Sequence, residues 1–402
     1  MKVQLRGFLP LLALSLFLSR THAQERLVVR AGRIHLSGQQ VLARGSLLIE
    51  KGRIQDVAER SGKPGDLPFD SLTPNKLVYE GAVVTPAFID IHCLPPDLAR
   101  AGELRERNFA MAPKWNAKSA YDPFAPRWKA LLRRGVTTIA LAPDDGNLAG
   151  GSAAWIQPGP SSLTAQGEAY LKLSLTNAVL NRGRPPTSLL GAVDILRNSF
   201  EDARNPLEKG NDPVLSVFAS ALGGGRVVGI ACRTLPQIQA ALDLFEEDKL
   251  EGFLIHANEA ALSLPRIKEL EIGVVLDPLS PNSSKKALRL PLKLAKAKIP
   301  FAFSGEGFDK AGLPRFGFTL WTAVRQGLDP KLALASLTSV PASLLKIQDQ
   351  VGSLLKGRRA DLCIWSGDPW DLRSKLLCVV RSGKVVWKTR TQPKKNSNQG
   401  EK

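Results

Sequence analysis

The hydrophobic rhythm of this chain changes twice. Near its start, short runs of strand character follow one another: Leu27-Val28-Val29-Arg30-Ala31-Gly32-Arg33-Ile34-His35, then Gly45-Ser46-Leu47-Leu48-Ile49-Glu50, then Lys51-Gly52-Arg53-Ile54-Gln55-Asp56-Val57 with Lys51-Gly52 as the hairpin turn. The same style returns near the end, in Ala360-Asp361-Leu362-Cys363-Ile364-Trp365, Cys378-Val379-Val380-Arg381 and Lys384-Val385-Val386-Trp387, with Ser382-Gly383 as a turn. Two terminal β segments around one long middle predict that both ends meet in one small β-sandwich domain. In the middle, apolar runs at 82–89, 136–141, 226–231, 252–255, 273–276 and 300–303 alternate with amphipathic helical patterns at 128–134, 235–247, 264–270 and 285–296. Continuous apolar strands between such helices imply an α/β fold whose parallel sheet is buried on both faces. The number of units suits a (β/α)8 TIM-like barrel. A doubly wound open sheet is the alternative, and no glycine fingerprint follows the first strand to favour it.

These rhythms divide the chain into 24–80 and 346–388 as the two parts of the β-sandwich and 81–345 as the barrel. Residues 1–23 read as a cleaved secretory signal: Lys2 and Arg6 give a basic start, an apolar run follows at 8–18, and Thr21-His22-Ala23 supplies small residues at a signal-peptidase site. The protein is therefore expected to be exported, to the periplasm or the outside, and no other stretch approaches a membrane span. Residues 389–402 form a basic tail, expected to be disordered. The formal charge of +18 is strong enough to attract polyanions, but the Lys and Arg residues are scattered without aromatic interleaving. Nucleic acid is not an expected partner. Four cysteines, Cys93, Cys232, Cys363 and Cys378, show no CxxC spacing and exclude a disulfide scaffold or zinc knuckle. Buried thiols are expected, with a Cys363–Cys378 disulfide left open should their strands be neighbours.

Candidate chemistry centres on few residues, because beyond the signal only His35, His92 and His256 remain. His35 lies in the terminal sheet as a surface or turn residue. His92 ends the run Phe88-Ile89-Asp90-Ile91-His92-Cys93-Leu94, and His256 ends Phe253-Leu254-Ile255-His256. An imidazole in an apolar run is more often a satisfied core residue than a ligand.

The segment Gly81-Ala82-Val83-Val84-Thr85-Pro86-Ala87-Phe88-Ile89-Asp90-Ile91-His92 resembles the opening G-x-x-V-x-P-G-F-I-D-x-H-x-H of the amidohydrolase superfamily barrel. Arg134-Gly135-Val136-Thr137-Thr138, Gly150-Gly151, Pro186-Thr187-Ser188 with Gly191-Ala192, and Pro341-Ala342-Ser343-Leu344-Leu345 follow in that family's order. Val351-Gly352-Ser353-Leu354, Ala360-Asp361-Leu362 and Gly367-Asp368-Pro369 are similar to its return into the sheet. The resemblance spans 26–388 and is nearest the imidazolonepropionase-like, exported branch.

What the resemblance implies is a hydrolase of non-peptide C–N bonds, or of small peptides, using one or two divalent ions and a carboxylate that moves the proton. Its ligands are two His from the first strand, one each from the fifth and sixth, an Asp from the eighth and often a modified Lys. Here the first-strand pair falls on His92 and Leu94, the fifth-strand ligand on Ala231, the sixth on His256, and the eighth-strand acid on Glu306. Two ligand positions are therefore lost. His92, His256 and Glu306 are the implied metal set for one divalent ion, zinc or manganese, or for none, with Glu306 as ligand or proton shuttle. Strand alternation turns Cys93 and Cys232 outward, away from that set, and Asp277 before Pro278 is a loop-end acid for a neighbouring role. Two readings stay open: a hydrolase of a small-molecule amide with reduced or lost activity, or an inactive homologue that binds or stabilises a partner, as a homo-oligomer or with an active relative.

Overall fold

The computed structural model describes residues 26–38, 40–61, 67–95, 98, 102–159, 166–204, 212–280, 282–305 and 316–389. Residues 1–23, 390–402 and Glu306 lie outside these. Both chain ends build one eight-stranded sheet, a coarser match to the terminal patterns than the small β-sandwich they predict. Strand β1 (Arg26–His35) pairs with the short β2 (Val41–Ala43) and antiparallel with β3 (Gly45–Glu50), which turns at Lys51-Gly52 into β4 (Arg53–Glu59). On its other side β1 runs parallel to β5 (Lys76–Pro86). From there β5 pairs with β14 (Leu362–Trp365), then β15 (Leu376–Arg381) and β16 (Lys384–Lys388) complete the sheet. The apolar run at 82–89, expected as one barrel strand, is thus shared between two sheets: β5 ends at Pro86, and the barrel begins at Phe88.

The second sheet has eight strands in chain order: β6 (Phe88–Cys93), β7 (Val136–Leu141), β8 (Ala149–Ile156), β9 (Gly167–Ser174), β10 (Val227–Cys232), β11 (Glu251–His256), β12 (Gly273–Leu276) and β13 (Phe301–Phe303). The Gly305 amide donates to Asp90 Oδ1 at 2.8 Å, and so ties the last strand to the first. This nearly closed sheet departs from the expected all-parallel barrel at one place: β8 runs antiparallel to both β7 and β9. Short turns can join antiparallel neighbours, whereas parallel ones need a crossover. That is why no helix separates β7, β8 and β9, and why the helix-spaced pattern missed the last two.

Around the barrel lie α1 (Pro126–Leu132), α2 (Leu189–Arg204), α3 (Pro213–Ala219), α4 (Leu235–Glu247), α5 (Leu264–Glu269), α6 (Lys285–Ala297), α7 (Phe316–Arg325), α8 (Pro330–Ala335) and α9 (Ser339–Leu344). Helix α4 shows why these sequences fold locally. Thr234 and Gln237 form a reciprocal capping box, a proline sits in the first turn, and Ile238, Ala241, Leu242 and Phe245 recur at helical spacing on the buried face. Each large apolar side chain buried this way contributes roughly 1.5–3 kcal/mol. Among the described residues no helix is long and apolar enough to cross a membrane.

Three apolar clusters result: one between strands and helices, one in the barrel lumen, and one in the terminal sheet. Cys93 and Cys232 belong to the outer layer, as alternation predicts. All four cysteines are buried free thiols. Cys363 faces Val379 in the ladder and Cys378 faces Ile364, so the two thiols fall on opposite faces of the sheet. Cys363 packs in the outer barrel layer and Cys378 in the terminal-sheet core, which answers the open disulfide in the negative.

His35 corrects the expectation of a surface or turn residue. It is buried at the end of β1, with its ring edge-on to Trp370 at 5.6 Å. Burial, assisted by Arg33, pushes its imidazole down to about 4. Because the folded value lies below the unfolded one, the neutral ring's contribution is complete above pH 6.5 and is lost as pH falls toward about 4. The loss should amount to roughly 2–3 kcal/mol. His35→Phe, which keeps an uncharged ring against Trp370, should flatten the acid limb of stability, read as urea midpoints across that range. An unchanged acid limb would show that His35 does not drive it.

Candidate metal centre

Two of the predicted residues meet at the carboxyl ends of the barrel strands, where barrel enzymes carry their sites. His92 at the end of β6 and His256 at the end of β11 stand with ring centroids 5.5 Å apart. His256 reaches the site by an irregularity. Phe253 and Ile255 point into the lumen, so simple alternation would turn residue 256 outward. Its φ of 70° places it in the left-handed region, uncommon for a non-glycine residue, and re-aims the ring toward the mouth. The β6–β7 register likewise shifts between Asp90 and Cys93.

The third member is Asp145, in the loop after β7. Ligand atoms of His92, Asp145 and His256 all lie within 4.8 Å of one another. His256 Nε2 is 3.2 Å from Asp145 Oδ2, while its Nδ1 hydrogen-bonds Asp277 Oδ1 at 2.5 Å. His92 Nδ1 pairs with the Tyr170 hydroxyl at 2.6 Å. Metal-ligating imidazoles commonly engage one ring nitrogen in such a bond and offer the other. Two imidazoles and a carboxylate are a normal three-ligand set for a divalent ion with one open position, so these residues fit the metal that the sequence resemblance implies.

Two cations complete the surroundings. Lys172, on β9 and fully buried, places Nζ 2.6 Å from Asp145 Oδ1. Arg233, just beyond β10, donates from Nη1 to Asp277 Oδ2 at 3.1 Å and approaches Asp145 at 3.9 Å. The result is a continuous network of basic and acidic groups across the mouth: Lys172, Asp145, His256, Asp277, Arg233. Burial alone would raise both carboxyls. For Asp145, Lys172 and the two histidines outweigh it and hold the group well below the usual carboxylate range. For Asp277, His256 and Arg233 do the same more moderately.

The remaining predicted positions separate. Ala231 lies in the lumen wall, where a fifth-strand ligand would stand. Leu94, which the resemblance pairs with His92 as a first-strand position, is instead half-buried and packs against the outer apolar layer, because the irregular end of β6 breaks the alternation that would have paired them. Asp90 accepts the Gly305 amide and, at 3.3 Å, the His92 amide, which makes it a clamp for the strand end. Asp145, Tyr170, Lys172 and Arg233 were missed. One signal was available: Lys172 is a single charge in the apolar run Ala169-Tyr170-Leu171-Lys172-Leu173. A cavity of about 760 Å³ is lined by Pro143 and Asn147, which flank the Asp145 loop, and by Arg105, Trp115, Asn116 and Glu168.

Residues 302–392 match the model of the amidohydrolase family. Among solved structures, an amidohydrolase from Thermotoga maritima MSB8 superposes with a TM-score of 0.80 at 21% identity, over 90% of this chain and all of that one. A Xaa-Pro dipeptidase with methionine bound in its active site gives 0.56 at 15% identity, over 90% of this chain and 100% of its own. A prolidase in complex with N-methylphosphonate-L-proline gives 0.56 at 17% identity, with the same coverage. At these identities the likeness shows the fold alone, a nearly closed eight-stranded α/β barrel. No protein of curated function matches the chain.

Proposed function

We propose that this protein is an exported hydrolase of amidohydrolase type that uses one divalent ion, zinc or manganese, to cleave the C–N bond of a small cyclic amide or short peptide. The observation that carries the reading is the convergence of His92, Asp145 and His256 at the barrel mouth. An ion there would supply Lewis acidity toward the scissile carbonyl. The protein's own residues position and balance that centre. Tyr170 and Asp277 orient the two imidazoles through their Nδ1 atoms, and Arg233 holds Asp277. Glu306, next after Gly305 in the sequence, stays the proposed ligand or proton carrier. The imidazolonepropionase-like branch and export rest on the sequence motifs and the signal segment.

A second reading has its own support. The network from Lys172 to Arg233 already pairs each carboxylate with a cation of the chain, Asp145 with Lys172 and Asp277 with Arg233, as expected of a catalytically silent homologue that binds or stabilises a partner, itself or an active relative. The two readings separate in one assay. Zinc- or manganese-loaded protein should hydrolyse members of a panel of cyclic amides and dipeptides, and should lose that activity on chelation and in His256→Ala. No turnover above the His256→Ala background would select the silent reading.

A further inference from the structure

Lys172 is the residue whose placement asks most for an explanation. Its side chain is fully buried, with its ammonium on one oxygen of Asp145 at 2.6 Å. The other Asp145 oxygen faces the His256 ring. The carboxylate therefore has two sides, one turned toward the histidine pair and one already taken by a cation belonging to the chain. A buried ammonium without a counter-charge is strongly unfavourable, so Lys172 cannot simply withdraw from Asp145. A divalent ion on the histidine side would sit across one carboxylate from a fixed positive charge and be repelled by it.

We propose that Lys172 is a built-in cation of this centre: its ammonium occupies one side of Asp145, so that the site accepts at most one divalent ion and binds it with an affinity that the ammonium holds down. The proposal rests on the metal-centre reading above and adds what limits its occupancy.

The test is equilibrium dialysis of the whole chain against zinc chloride and manganese chloride, with metal analysis, for the native protein, Lys172→Met and Lys172→Arg. Near-ultraviolet circular dichroism confirms folding. The expected result is one ion per native chain, binding at least about tenfold tighter in Lys172→Met, and native affinity in Lys172→Arg, which keeps the charge. Two ions in the native protein would overturn the proposal even were Lys172→Met unable to fold, and would leave the hydrolase reading standing. Unchanged affinity in Lys172→Met would overturn it too. Loss of metal in that variant would do the same and make Lys172 a ligand. Metal bound by Lys172→Met but not by the native chain would uphold the proposal and remove the hydrolase reading. No binding by either would overturn both.

Discussion

Asp145→Ala is expected to cost the fold about 3–5 kcal/mol, the loss seen when one partner of a buried ion pair is removed. The reason is specific to this site. Lys172 has no exposed surface, and its ammonium meets Asp145 at 2.6 Å, so the truncation leaves a positive charge stranded in the barrel wall. The same change takes a carboxylate from His256 and should abolish metal binding. Urea unfolding measures the first effect. The double variant Asp145→Ala with Lys172→Met removes both charges and should recover most of the lost stability, because the penalty belongs to the unpaired ion rather than to the missing bond. A double variant no more stable than Asp145→Ala would mean that the pair is not the source of the cost.

Gly252→Ala should be the other severe change. The residue lies in β11 with φ of 157°, and a Cβ there would stand 1.9 Å from the Val228 carbonyl oxygen of β10. Backbone cannot move aside as a flexible side chain can, so strain and overpacking together should cost about 3 kcal/mol or more. Since β11 delivers His256, the damage should reach the metal centre as well. Gly223→Ala is the control: its φ is 60° and a Cβ would meet nothing within 4 Å, so only the left-handed backbone is penalised, by about 1–2 kcal/mol. Comparable urea midpoints for the two variants would contradict this assignment.

Much of the fold was legible because its signals are local and repeat. Apolar runs bounded by turns located β7 and β12 to the residue, and the cap at Thr234 with the spacing of Ile238, Ala241 and Phe245 located α4. Lys51-Gly52 and Ser382-Gly383 gave two hairpins of the terminal sheet. Strands β8 and β9 escaped because they depart from the βαβ rhythm that organised the rest, and with β9 went Tyr170 and Lys172. His92 and His256 were legible as strand ends, but what joins them was not. Asp145 comes from a loop, Arg233 from beyond a strand, and His256 turns inward only through its left-handed backbone. Leu94 shows the same limit in reverse: two-residue alternation paired it with His92, and an irregular strand end sent it to the outer core. A centre assembled from six separate places in the fold leaves no spacing in the chain to recognise.

The decisive property is whether His92, Asp145 and His256 hold an ion. The direct measurement is the metal content of the purified protein, expressed with zinc and manganese available and prepared without chelators, beside His92→Ala and His256→Ala. About one ion per chain, lost in both variants while each remains folded, is the predicted result. Metal at background in the folded native protein, or an ion retained by both variants, would contradict it.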